Sequence, residues 1–223
     1  NVCHKNANDI VIGESALQTH IDHGDAVDRD GDGFYDKENP CSDIDCDDST
    51  YSLENTCGTP ANIGDLRDGG VVFWVNPDNN ARGMVVSLVE LGNAEWGCFL
   101  TEIEQENYDD TKEFGDGYNL TQSILENCSQ QGIAAEVAVN FRGGNYTDWF
   151  LPSYTELSEI LKVDFVINPI LVANGGHRVV YDPNYWSSNQ FDEYLALNSF
   201  SLTIRGIKAE KFVALRVRAV RSF

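Results

Sequence analysis

The run Asp28-Arg29-Asp30-Gly31-Asp32-Gly33-Phe34-Tyr35-Asp36 places oxygen donors at alternate positions. Carboxylates at positions 1, 3 and 5, a Gly at 6, a backbone carbonyl at 7 (Phe34) and a carboxylate at 9 (Asp36) describe a Ca2+ loop. Alternate residues can converge on one ion only if the backbone curls around it, and Gly33 permits that turn. Position 12 is Asn39 rather than a bidentate Glu, so the loop is EF-hand-like and not an EF-hand. The missing ligands are expected from the next acidic cluster, Asp43, Asp45, Asp47 and Asp48. So many carboxylates in so short a stretch repel one another without a cation. A flexible, oxygen-rich site suits Ca2+ better than Mg2+. Its role is read as structural.

Two further residue types could do chemistry. Six cysteines, Cys3, Cys41, Cys46, Cys57, Cys98 and Cys128, show neither zinc-finger nor CxxC spacing. With the calcium loop they point to disulfides and an oxidising, extracellular compartment. Keeping bridges within each part of the chain favours Cys98 with Cys128, and Cys46 with Cys57 would pin the second Asp cluster, but spacing leaves connectivity open. His4, His20 and His23, with Asp25, form a second candidate metal group, weighed against helix capping and local hydrogen bonds. His177 has no neighbouring nucleophile in sequence, and no pair of acids is singled out as a glycosidase pair. No catalytic residue is assigned, and the chain is read as a non-enzyme.

Around these groups the composition divides the chain. Its 223 residues carry a formal net charge of −21, which argues against nucleic acid and anionic membrane surfaces as partners. Residues 1–60 hold 14 of the 36 acidic side chains and 3 of the 15 basic ones, so acidity is concentrated at the N-terminal end. The expected organisation is a short His-containing segment at 1–25, an Asp-rich calcium module and linker at 26–61, and a globular domain at 62–223. The module has little apolar content and needs metal and disulfides to hold a shape. No apolar span reaches membrane length. The chain lacks an initiator Met and a signal peptide, and is expected to be a processed product or part of a longer protein.

In the globular part, Val71–Val75 and Met84–Val89 read as a hairpin across the turn-like segment 76–83. Residues 119–128 read as a helix capped by Asn119, and 133–141 as a second. Ser153 and Glu156 form a capping box ahead of Leu157, Ile160 and Leu161, predicting a helix to about 161. Strands are expected near 185–186, 194–202 and 212–220. In the last, Leu215, Val217 and Ala219 alternate with Arg216 and Arg218, which would face the other way. Trp74, Trp149 and Trp186 are expected in the core, and Trp96, between turn-like flanks, partly exposed.

At Asp148-Trp149-Phe150-Leu151-Pro152-Ser153, then Tyr185-Trp186-Ser187-Ser188, then Arg216–Phe223, the chain resembles the C-terminal domain of bacterial collagen-like surface adhesins. That family is related to the C-type-lectin fold, to formylglycine-generating enzymes and to variable proteins of diversity-generating retroelements. The opening stretch Gly64–Trp74 also fits, and the resemblance spans about 62–223. It implies an α+β, C-type-lectin-like domain with pairing terminal strands, preceded here by the small disulfide- and calcium-stabilised module. The acidic segment 43–48 resembles metal-binding repeats of extracellular bacterial proteins.

The resemblance implies ligand binding without catalysis, often to glycans or other surface polymers. In its variable relatives the displayed side chains lie where this chain has residues 189–211. The candidate ligand-binding residues are therefore Asn189, Gln190, Phe191, Asp192, Tyr194, Arg205 and Lys208. The Glu-Pro-Asn and Trp-Asn-Asp motifs of animal C-type lectins are absent, so calcium is not expected to bridge sugar to the large domain. Arg205, Lys208, Lys211, Arg216, Arg218 and Arg221 are the one basic concentration; pairing with the chain's own carboxylates is favoured over a polyanion site. The expected protein is a secreted or cell-surface bacterial adhesin. The alternative is a structural subunit of a surface filament, which would use the same surfaces for self-assembly or for another protein.

Overall fold

The computed structural model describes residues 60–77, 79–103, 114–180, 184–199 and 207–223, together with strands at 2–4, 8–10 and 26–27. The chain divides into two units, Asn1–Pro60 with Phe223, and Ala61–Ser222. In the first, β1 (Val2–His4), β2 (Asn8–Ile10) and β3 (Ala26–Val27) form an antiparallel sheet in the order β2-β1-β3. Cys3 and His4 fall in β1. The calcium-ligand candidates Asp28, Asp30, Asp32, Phe34, Asp36, Asp43, Asp45, Asp47 and Asp48 lie outside the described residues, as do His20, His23, Asp25, Cys41, Cys46, Cys57 and Arg205.

The second unit contains both helices and sheets, so the α+β expectation holds for it. Strands β4 (Leu66–Arg67), β5 (Gly70–Val75) and β6 (Gly83–Ser87) come first, followed by β7 (Asn93–Ala94). Helices α1 (Gly117–Asn127), α2 (Ala134–Val139), α3 (Tyr154–Lys162) and α4 (Asp164–Ala173) fill the middle. Strands β8 (Trp186–Gln190), β9 (Leu195–Asn198), β10 (Ile207–Glu210), β11 (Leu215–Arg216) and β12 (Val220–Ser222) close it. The main sheet is antiparallel with order β12-β6-β5-β4. The expected hairpin is β5–β6, and β12 returns from the end of the chain to the free side of β6. A register shift between Val72 and Trp74 marks a bulge. It lets Phe73 join Val71 in the core while Trp74, only half-buried, stacks on Phe114 at 4.4 Å.

The capping box of α3 is formed as expected: Glu156 N–H donates to Ser153 Oγ (3.2 Å) and Ser153 N–H donates to Glu156 Oε2 (2.8 Å). Leu157, Ile160 and Leu161 then pack against Val71, Phe73, Met84 and Val86 of the sheet. Helix α4 had no counterpart in the sequence reading. It adds Ile167 and Leu171 to the same core, and its Pro169 lies within the helix. Buried Asn168 pins the following loop, with Oδ1 accepting from Val179 N–H (2.7 Å) and Nδ2 donating to Val179 O (2.9 Å).

Three expectations are corrected. Helix α1 starts two residues before Asn119, and its first N–H, on Gly117, donates to the Glu156 carboxylate (3.0 Å) rather than to a local cap. A side chain distant in sequence has taken the capping role. A Cβ on Gly117 would stand 2.2 Å from Glu156 Oε2, so the close approach requires glycine. Trp96 is fully buried, not partly exposed, and its indole N–H donates to Ser187 O (2.9 Å). Trp186 and Trp149 are buried as expected, donating to the carbonyls of Ala94 and Gly143 (2.9 and 3.0 Å). Finally, the strand expected across 212–220 is broken between β11 and β12, and Val217 through Arg221 are all buried. Arg218 therefore does not face outward: its guanidinium donates to the carbonyls of Ser87 (2.8 Å), Leu88 (3.0 Å) and His177 (2.7 Å). Burial holds its pKa below the ordinary arginine value.

Candidate functional site

Strands β8 and β9 form a hairpin, with β10 on the other side of β9 as an edge strand. The hairpin turn is shaped by Asp192, whose Oδ1 accepts the N–H groups of Tyr194 (2.8 Å) and Leu195 (2.7 Å), the local chemistry that makes Asp a turn former. This turn points Tyr194 outward and leaves it 45% exposed.

A second loop, 96–101, is tied to that turn. Leu100 N–H donates to Glu193 O (2.9 Å), and the N–H groups of Trp96 and Gly97 donate to Lys211 O (2.9 and 3.2 Å). The disulfide Cys98–Cys128 anchors the loop to the end of α1. Cys98 N–H also donates to Gln130 Oε1 (2.9 Å). Held this way, Cys98 and Leu100 adopt left-handed backbone conformations (φ +45° and +70°) that non-glycine residues seldom take. The strain sits beside an unusual display: Leu100 is 63% exposed. Phe99 meets the edges of Tyr194 (5.7 Å between centroids) and Phe212 (4.9 Å), and Phe212 is 47% exposed. The result is one apolar, aromatic surface formed by residues 99, 100, 194 and 212.

Beneath it lies Lys211, fully buried. Its Nζ donates to Thr101 O (2.8 Å) and Gln190 Oε1 (2.6 Å) and stands 4.8 Å from the Trp96 ring. Burial pulls its pKa down to about 8, against the opposing pull of the Asp192, Glu193 and Glu102 carboxylates. The ammonium thus fastens the 101 loop to β8, and the aromatic surface rests on a rigid base.

The candidate ligand residues fall into two groups. Asn189 and Gln190 are engaged within the chain: Asn189 Oδ1 accepts Tyr154 N–H (2.7 Å), and Gln190 Oε1 accepts Ile103 N–H (2.9 Å) besides Lys211. Phe191, Tyr194 and Lys208 are exposed, with Lys208 Nζ 3.1 Å above the Phe191 ring. Asp192 shapes the turn. Phe99, Leu100 and Phe212 were not among the candidates. The signal available was the apolar run Phe99-Leu100 directly after Trp96-Gly97-Cys98, where a cysteine beside a turn residue suggests a tethered display loop.

The favoured pairing with the chain's own carboxylates holds for two of the five described cations. Arg216 pairs with Glu90 (2.7 Å), and Arg221 with Asp148 through two bonds (2.7 and 2.8 Å). Arg218 and Lys211 are satisfied mainly by carbonyls, which sequence could not show. His177 Nδ1 accepts Glu90 N–H (3.1 Å). Among the described residues no group of three His, Cys, Asp or Glu side chains could hold a metal ion, and no helix is long and apolar enough to cross a membrane.

The disulfide gives a first test. Closing a loop between Cys98 and Cys128, 30 residues apart, restricts the unfolded chain by about 3–4 kcal/mol in the loop-entropy account. The variant Cys98→Ala/Cys128→Ala is expected to lose stability of that order in urea unfolding. A loss below about 1 kcal/mol would mean that the crosslink adds little beyond the loop's hydrogen bonds.

No protein-family model matches the chain, and no curated protein matches it.

Proposed function

We propose that this chain is an extracellular, bacterial ligand-binding or adhesion protein. In this reading a C-type-lectin-like domain at 62–223 recognises a glycan or another surface polymer, and the Asp-rich module at 26–61 binds structural Ca2+. The observation that carries the reading is the exposed aromatic surface of Tyr194, Phe212 and Leu100, held by a disulfide-anchored loop. Soluble domains seldom leave such groups clustered on the surface unless they bind something. Three further features support it. Strands β4 and β12, the first and last of the unit, belong to one four-stranded sheet, at its two edges with β5 and β6 between them. A formed disulfide suits a secreted protein. The Asp28–Asp36 spacing suits Ca2+. Calcium would hold the acidic module in shape and leave the large domain's ligand surface free of metal.

A broad glycan array, read in Ca2+ and again in EDTA, tests the proposal. The expected result is a saturable hit that Tyr194→Ala/Phe212→Ala abolishes. Loss of the hit in EDTA would make the acidic module part of the binding state. Silence in both buffers would reject glycan recognition.

A second reading, a subunit of a surface filament, is favoured by one observation. Phe165 (75% exposed) and Val172 stand about two turns apart on an exposed side of α4. If that stripe is an assembly contact, large oligomers should dissolve on Phe165→Glu. A monomer by sedimentation at high concentration would rule this out.

A further inference from the structure

The charge around the aromatic surface bears on which polymer it takes, on the premise just stated that this surface binds a glycan or other surface polymer. Asp192, Glu193 and Glu102 all lie close enough to raise the affinity of Lys211 for its proton. Glu210 stands on edge strand β10 opposite Leu195, and it is exposed. Among the described residues, the two ammonium groups of this region are already committed, Lys211 beneath the surface and Lys208 on the Phe191 ring. The second contact is a cation seated 3.1 Å over an aromatic ring, the kind of contact a ligand ammonium can make. Tyr194 and Phe212 present further ring area, with Glu193 next to Tyr194 in sequence and Glu210 two residues before Phe212.

We infer that the ligand is a polysaccharide bearing free, protonated amino groups. Its sugar faces stack on Tyr194 and Phe212, and its ammonium groups meet the carboxylates of Asp192, Glu193 and Glu210. A polyanion is disfavoured on the same grounds. The chain carries a net charge of −21, and Arg216, Arg218 and Arg221 are engaged internally by Glu90, by backbone carbonyls and by Asp148.

The discriminating pair is a glucosamine hexamer and its fully N-acetylated counterpart, which differ in charge and not in sugar ring. Titrated by calorimetry in mildly acidic, moderate-salt buffer, the amino hexamer should bind about tenfold tighter or more. Tyr194→Ala/Phe212→Ala, which leaves the net charge unchanged, should weaken it by a similar factor. Glu193→Gln/Glu210→Gln should weaken the amino hexamer and spare the acetylated one. Both variants alter surface groups, and an unchanged thermal midpoint confirms folding. Equal affinity for the two hexamers overturns the inference while the glycan reading stands. Binding of neither also overturns it, and the array then decides whether the glycan reading falls too. If a lysine hexamer binds as well as the amino sugar and ignores the aromatic variant, the attraction is bulk charge alone, and the inference fails.

Discussion

Arg221→Ala is expected to lower the unfolding free energy by about 2–3 kcal/mol, below the cost of breaking a wholly buried ion pair because Asp148 is one-third exposed. Arg221 is the hub of the contact between the end of the chain and the segment before α3. Its Nε and Nη2 donate to the two oxygens of Asp148 at 2.7 and 2.8 Å, a bidentate geometry that holds direction as well as charge. Its guanidinium lies 3.8 Å from the Tyr146 ring, and Tyr146 Oη donates to Asp68 (3.0 Å). Arg221 is buried, Asp148 one-third exposed, and Asp68, 3.9 Å from Arg221, nearly buried. Alanine would remove the pair and the ring contact together and leave Asp148 without its cation, while Asp68 keeps Arg67 at 2.6 Å. The joint replacement Arg221→Met/Asp148→Leu should cost clearly less than the sum of the single changes, because no charge is left unpaired. Urea unfolding of the two singles and the double decides the matter. Additive losses would show that the pair is not energetically coupled.

A second large effect concerns pH. Glu156 is fully buried, and burial raises its pKa from 4.5 to about 7, although the N–H groups of Ser153 and Gly117 favour the charged form. Below pH 4.5 the carboxyl is protonated in both folded and unfolded chains. Between 4.5 and 7 the unfolded chain gives up this proton and the folded chain keeps it, so the contribution is lost as pH rises. Above 7 the loss is complete, at roughly 3 kcal/mol. Glu156→Gln keeps an acceptor for only one of the two N–H groups and should cost about 1–3 kcal/mol outright. The diagnostic quantity is the slope: the variant's stability should fall less steeply than the parent's across that window. Parallel profiles in urea unfolding between pH 4.5 and 7.5 would count against a shifted Glu156.

Both predictions concern residues that stand in plain view in the sequence, and they show what reading it could and could not reach. The capping box Ser153/Glu156 was legible because its atoms are three residues apart. That the same carboxylate also caps Gly117 was not, because 39 residues separate the partners. The β5–β6 hairpin was legible from alternating apolar runs across a short turn. Helix α4 was not, because a proline and an almost wholly apolar stretch hide its period. Arg218 looked outward by alternation, yet the strand breaks and the guanidinium finds three carbonyls to replace water. Trp96 looked exposed between turn residues, yet its indole reaches Ser187 of β8 and its backbone N–H the carbonyl of Lys211, and it is buried.

By itself, then, the sequence determined the α+β character of the large domain, its hairpin, the start of α3 and the favoured Cys98–Cys128 bridge. Each rests on local spacing or on few alternatives. Only the tertiary structure decided which polar groups are spent inside and which are displayed. It turned Asn189 and Gln190 inward, through partners as far as 87 positions away, and brought the 99–100 pair beside Tyr194 and Phe212, through contacts between residues 93 and more positions apart. The physical reason is burial: a side chain's fate depends on what closes over it, and the chain's order alone does not carry that information.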